Sequence, residues 1–345
     1  MNKEFLYEVL GTMSVSGHEI PLQKKVIAEM TPYCDEIRTD CTGNVICVLN
    51  PDAPTRILLA GHCDEIGLIV TVVQSDGLLR VSNAGGIYAT TYPGHKVVIH
   101  GAKGPVYGVV NNHRGLTKDG LKAGELYIDI GAADEADARQ YVEEGDPVHL
   151  HTYHQEMLNG HLTARGIDDR GGMFIVMEAL KRAKELGCKI GVYAASTVGE
   201  ETTGRGANWA ASSVRAKAAI AVDVTYATDV PGTRPEESGS VKLGGGPVVC
   251  NSSLCSKKLN DLLKSCAKEH NIPYQVESFI GRTSTDGDTI HLAGTNTTTA
   301  LISLPLRYMH NPGEMCALAD VENSIELLAR FLCAVDDDTD FDPFH

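Results

Sequence analysis

Arg56-Ile57-Leu58-Leu59-Ala60-Gly61-His62-Cys63-Asp64 is the stretch on which the fold turns. After Arg56 the run to Ala60 is apolar at every position, so both faces need cover, as in a buried strand of a parallel sheet. It stops at Gly61-His62, which sets a metal-capable imidazole at a strand's carboxyl end, where open α/β sheets build their ligand sites. Asp64, two residues on, supplies a carboxylate of the kind that fixes the tautomer and aim of a metal-bound histidine.

Working outward, Phe5, Leu6, Val9 and Leu10 follow helical spacing, and a second helix is expected from Ile20 to Met30 with Val26 inward. From Gly67 to His161 the texture changes to short alternating runs at 68–73, 96–100, 106–110 and 126–130. Turn signals at Ser75-Asp76-Gly77, Tyr92-Pro93-Gly94 and Lys118-Asp119-Gly120 separate them, which predicts a small β-rich module. Alternation of helix and strand then resumes. A helix carrying Met173, Val176, Leu180 and Ala183 stops at Gly187, and a buried strand is expected from Lys189 to Ala195. A helix over 207–216 precedes the strand Ala218 to Val222, which delivers Asp223 at its end. A helix over 259–270, a strand over 298–304 and a final helix capped by Asp320 complete the chain. The fold class is α/β: a mixed, largely parallel sheet sandwiched by helices, formed by residues 1–66 and 162–345, with an inserted β-rich domain over 67–161.

Composition narrows the function. The 345 residues are 43% hydrophobic and include 35 glycines, enough for a large core. A net charge of −15 excludes a nucleic-acid partner, which demands clustered Lys and Arg. No stretch nears the roughly 20 apolar residues of a membrane span, and the start of the chain offers no apolar signal core. The ten cysteines lack CxxC spacing and read as free thiols of a reducing, cytoplasmic setting.

The residues that carry chemistry are His62, Asp64, Asp168, Glu200, Glu201, Asp223 and His310. Such a mixture of imidazoles and carboxylates can hold two divalent cations, which together activate water and polarise a carbonyl. Each has an ordinary alternative. Asp168 precedes a helix, whose dipole favours an acid, and His310 could be a core histidine. Asp223 is the sharpest, because an acid after five apolar residues needs a partner. Adjacent glutamates could divide labour, one binding metal and one moving protons. His149, His151, His154 and His161 lack a matching carboxylate pattern and are read as structural. Gly244-Gly245-Gly246-Pro247 is a tight turn or a loop near the substrate, and Asp336 to Asp340 a solvated, frayed end. HExxH, GxSxG and phosphate-loop motifs are absent.

Taken in order, Gly61-His62-Cys63-Asp64-Glu65-Ile66-Gly67, Asp168-Asp169-Arg170, Glu200-Glu201 with Gly204-Arg205-Gly206-Ala207, Ala221-Val222-Asp223-Val224, Thr285-Asp286-Gly287 and Arg307-Tyr308-Met309-His310 resemble the tetrahedral aminopeptidases. These are the glutamyl-aminopeptidase and cellulase-M-like di-metal peptidases, family 42. The resemblance implies that Asp168 bridges two metals, that His62 and Asp223 complete one site, and that Glu201 and His310 complete the other. It implies Glu200 as general base, Asp64 as the group orienting His62, and a cis Asp168-Asp169 peptide. Zinc or cobalt is implied, with manganese possible. The expected activity is removal of N-terminal residues from short peptides, with a water shared by the metals as nucleophile. The insertion resembles a dimerisation domain, and a hollow dodecamer is the implied assembly. A di-zinc carboxypeptidase, an N-acyl amino acid deacylase and an inactive binding protein are the competing readings. Arg205, Arg282 and Arg307 could select acidic side chains or be structural, and the sequence leaves the preferred N-terminal residue open among acidic, apolar and basic.

Overall fold

The computed structural model describes residues 1–113, 116 and 120–345; the expected turn at Lys118-Asp119-Gly120 therefore lies, apart from Gly120, outside the described residues. In chain order the strands are β1 (Glu36–Thr39), β2 (Val45–Leu49), β3 (Arg56–His62), β4 (Gly67–Val73), β5 (Leu79–Ala84), β6 (Lys96–Gly101), β7 (Gly104–Val110), β8 (Tyr127–Asp129), β9 (Pro147–Leu150), β10 (Gln155–Glu156), β11 (His161–Ala164), β12 (Gly191–Thr197), β13 (Ala218–Tyr226), β14 (Val248–Asn251), β15 (Gln275–Ser278), β16 (Thr298–Leu306) and β17 (Glu314–Ala317). The helices are α1 (Lys3–Gly11), α2 (Ile20–Met30), α3 (Glu135–Ala138), α4 (Ile167–Glu185), α5 (Arg205–Val214), α6 (Pro235–Ser238), α7 (Lys257–Glu269), α8 (Asp286–His291) and α9 (Leu318–Ala334).

Eight strands form one mixed sheet in the order β1-β2-β12-β3-β13-β16-β14-β15. Its centre, β12-β3-β13-β16, is parallel, while β2 and β14 run antiparallel to their inner neighbours. The central strands are buried on both faces because helices cover both. On one side α1, α2, α4, α7 and α9 enclose Phe5, Leu22, Phe174, Leu328 and Phe331; on the other, α5 and α8 pack Ala207, Ala211 and Ile290 against Leu58 and Tyr193. Continuous apolar runs at β3, β12 and β13 follow from this double cover.

Strands β4-β5-β8-β7-β6-β9 close into a small barrel with its own core of Leu68, Val81, Val97, Ile99, Leu126 and Val148. Its last strand ends at Leu150; β10 pairs instead with β11, and β11 with β17 of the larger body.

Three local expectations need correction. The strand carrying Asp223 does not end there but runs on to Tyr226, because β16 pairs with it along its whole length. The last helix begins at Leu318, not after Asp320; Asp320 lies in its first turn and accepts hydrogen bonds from the Gly244 and Gly246 N–H groups, at 2.7 Å each. That contact fixes the glycine segment as a tight turn away from the ligand cleft. The tail is not frayed either: Phe341 is buried in the main core and Lys258 pairs with Asp340 at 2.9 Å.

Candidate metal centre

Three neighbouring strands and two loops meet at one end of the sheet. His62 closes β3 and stands in register with Thr197, the last residue of β12; Glu200 and Glu201 follow three and four residues later. Asp223 projects from β13 beside β3. Asp168 opens α4, and His310 sits in the β16–β17 connection with a left-handed backbone, φ 61°. All but Asp64 line one open cleft of about 610 Å³, whose other walls include Gly86, Thr225, Tyr226, Glu277, Phe279 and Met309.

The two imidazoles are aimed alike. His62 Nδ1 faces the Asp64 carbonyl at 3.1 Å and the Asp64 carboxylate at 3.4 Å, leaving Nε2 toward Asp168 Oδ1 at 3.4 Å and Glu200 Oε2 at 3.7 Å. His310 Nδ1 donates to the Gly86 carbonyl at 2.8 Å, and its Nε2 faces Asp168 Oδ2 at 3.1 Å and Glu201 Oε1 at 3.6 Å. Each ring thus spends its Nδ1 on a fixed acceptor and presents Nε2 to the carboxylates, the disposition of a metal ligand. Asp168 lies between them, one oxygen toward each histidine.

Asp64 is fully buried and does more than touch His62. Its oxygens accept the Glu200 and Glu201 N–H groups at 3.1 and 3.2 Å, so one carboxylate fixes the histidine and the glutamate turn together.

The electrostatics call for cations. Burial first, then neighbouring carboxylates, push Glu201, Asp223 and Asp169 well above the ordinary range, and Glu200 up to about 7. Asp168 is held low despite burial, by His310 and His62. Burial would lower His62, yet Asp168 and Asp64 beside it hold it well above its usual value. Among the described residues no Lys or Arg lines the cleft, and Glu201 Oε1 is buried without a hydrogen-bond partner. Buried charges are paired or coordinate metals, and this donor set fits divalent cations. Two triads have ligand atoms close enough to share an ion: His62, Asp168 and Glu201, and His62, Asp169 and Asp223.

Three contributors escaped the sequence reading. Asp169, joined to Asp168 by a cis peptide, accepts the His62 N–H at 3.2 Å and the Gly172 N–H at 3.0 Å. Both its oxygens are engaged in tying β3 to α4. Glu314, buried and raised to about 8 by burial and by Asp168, accepts the His310 N–H at 2.8 Å and the Asp168 N–H at 3.2 Å. Gly86 comes from the barrel, so the inserted module reaches the cleft. The adjacency of Asp169 and the four-residue offset of Glu314 from His310 were the available signals.

The remaining histidines do not converge. His149 contacts His100 at 2.9 Å, His151 contacts Tyr153 at 2.5 Å, and His154 stacks on Tyr7; among the described residues none belongs to a metal-capable group. Arg205 and Arg282 are exposed, Arg307 is tied to Asp229 at 2.8 and 2.7 Å, and none of the three is among the residues lining the cleft.

The chain is similar to known proteins over nearly its whole length. The profile of the M42 glutamyl aminopeptidase family matches residues 43–327. A putative aminopeptidase of Acetivibrio thermocellus is 34% identical over 341 residues, covering 96% of this chain and 100% of that protein. The crystal structure of a TET aminopeptidase from a marine-sediment Thaumarchaeota archaeon superposes with a TM-score of 0.90 at 30% identity, over 97% of each chain. The Pyrococcus horikoshii TET1 peptidase, described as assembling into a tetrahedron or a large octahedral shell, gives a TM-score of 0.86 at 28% identity, over 96% of this chain and 99% of that one.

Proposed function

This chain belongs to the M42 glutamyl aminopeptidase family, and from that premise we propose that it removes N-terminal residues from short peptides in the cleft around His62, using two divalent cations. The observation that carries the reading is the charge of the cleft. Among the described residues its lining is rich in carboxylates and has no Lys or Arg. A peptide's cationic amino end suits such walls. A carboxypeptidase or N-acyl amino acid deacylase would need a cation to clamp the substrate's carboxylate.

In this reading Asp168 would serve both ions, because its oxygens face His62 and His310 separately. Asp223 and His62 would hold one ion, and Glu201 and His310 the other. Asp64 and Asp169 position His62. Imidazole with carboxylate suits zinc, cobalt or manganese. When bound, the ions would acidify a water and polarise the scissile carbonyl. Glu200 opens on the cleft with its main chain held by Asp64. It takes the attacking water's proton and returns it to the leaving amine, a transfer suited to a carboxyl near neutrality.

Self-association is the second element. The barrel exposes Tyr107, Val109 and Tyr141, apolar side chains that another copy would cover, and a tetrahedral dodecamer is the assembly we assign. Light scattering at rising concentration tests it; a monomer throughout contradicts it. The ten cysteines, all free, fit a reducing cytoplasm.

The decisive assay compares free-amine with N-acetylated peptides after metal removal and refilling with zinc, cobalt or manganese. Cleavage of free-amine peptides alone, and only with metal, supports the proposal; preference for the acetylated ones refutes it.

A further inference from the structure

One buried carboxylate in the cleft belongs neither to the metal set nor, among the described residues, to any ion pair. Glu277 stands on β15 with 4% of its surface exposed and lines the same cleft as His62, Asp168, Glu200, Asp223 and His310. Its hydrogen-bond partners are hydroxyls: Thr225 Oγ1 donates to Oε2 at 2.6 Å, and Ser303 Oγ to Oε1 at 3.4 Å. Burial holds its carboxyl above the ordinary range, and the groups opposing this are Thr225, Ser303 and Cys250, none of them a cation.

Sheet register gives the distance to the metal centre. Asp223 and Thr225 are two apart on β13, so they share a face about 6.6 to 6.8 Å apart along the strand. Ser303 is the register partner of Asp223 on β16. By reaching both Thr225 and Ser303, the Glu277 carboxylate sits on that face about one side-chain repeat from Asp223, close to the reach of a lysine side chain. Tyr226, Phe279 and Met309 line the same cleft and can pack an aliphatic stem. Divalent cations held there would offset the carboxylates around His62 and His310, and Glu277, in neither metal-capable group, would stay uncompensated. A buried charge without a partner is costly, and this one opens onto the space a substrate enters.

We infer that Glu277 is the specificity-determining residue of the cleft: its carboxylate receives the ammonium or guanidinium of a basic N-terminal residue. Peptides that begin with lysine or arginine are therefore the preferred substrates. This rests on the aminopeptidase reading above, and it fills in the N-terminal preference that the sequence left open.

The test uses the metal-loaded full chain and aminoacyl p-nitroanilides. Lysine is compared with norleucine, which has the same stem without the charge. The expected ratio of kcat/KM, lysine over norleucine, is on the order of 10 to 100 in the wild type. Glu277→Gln should bring that ratio to about one. Glu277→Asp retracts the carboxylate by one methylene and should raise the arginine-to-lysine ratio, so the inference does not depend on one variant folding. A wild-type ratio of one or less, a Glu277→Gln ratio equal to wild type, or an unmoved arginine-to-lysine ratio in Glu277→Asp overturns the inference while leaving aminopeptidase activity standing. Absence of cleavage for every free-amine substrate overturns the aminopeptidase reading and this inference with it.

Discussion

Replacing Glu65 with Gln should destabilise the protein at neutral pH and do so less as the pH falls. Glu65 is buried where β3 leads into the barrel. Its carboxylate pairs with Arg165, lies 3.2 Å from Arg170 Nη2 and accepts the Ser14 N–H at 3.1 Å. Burial alone would raise its pKa, but Arg165 and Arg170 overrule burial and hold it at about 2, against an ordinary 4.5. A difference of about 2.5 units at 1.36 kcal/mol each is roughly 3 kcal/mol of stability. Because the folded pKa is depressed, that contribution is complete above pH 4.5 and disappears as the pH falls through 2. At pH 3.5 the same linkage leaves roughly 2 kcal/mol. Gln mimics the protonated acid, so wild type and Glu65→Gln should converge on acidification. With an unfolding entropy of roughly 2.1 cal/mol/K per residue, the gap in Tm is about 4 to 5 °C at pH 7 and about 3 °C at pH 3.5. Calorimetry at one protein concentration measures both. A gap that is equal at the two pH values, or wider at the lower one, refutes the ion-pair account.

Two further predictions concern how the metal centre is held. A Cβ added at Gly61 would stand 2.7 Å from Met173 N and 2.8 Å from Gly172 C, all backbone of α4; Gly61→Ala should cost about 1 to 3 kcal/mol by overpacking and lower metal affinity with it. Calorimetry and a chelator titration check this, and an unchanged Tm contradicts it. Glu314→Ala removes the shared acceptor of the Asp168 and His310 N–H groups and should weaken metal binding by about 10- to 100-fold. Glu314→Gln, with one acceptor oxygen, should fall between, and wild-type affinity in Glu314→Ala would refute the role.

The legible part of this fold was the part dictated by double burial. Strands β3, β12 and β13 are apolar on both faces because helices cover both, so their runs stood out, and each led toward a polar residue of the centre. The extension of β13 past Asp223 was hidden because Asp223 interrupts the apolar run, while pairing with β16, a contact distant in sequence, keeps Val224 to Tyr226 extended. The roles of Glu314 and Asp169 were harder to read for a related reason, since position beside a candidate ligand was the one signal they gave. They act by accepting main-chain N–H groups, a role any acid could fill and which only the folded chain assigns. Glu277 lies on a short strand with ordinary polarity, and its isolation from cations is a property of the assembled sheet. The tail was misjudged from its acids, because its anchor is the single buried ring of Phe341.

The central claim divides ligands from the proton carrier, and metal content measured alongside turnover separates them. Glu200→Gln should keep the wild-type metal content by mass spectrometry while kcat falls by about 10² to 10⁴, whereas Asp223→Asn should lose metal and activity together. Near-wild-type turnover in Glu200→Gln, or full metal occupancy in Asp223→Asn, would contradict the account.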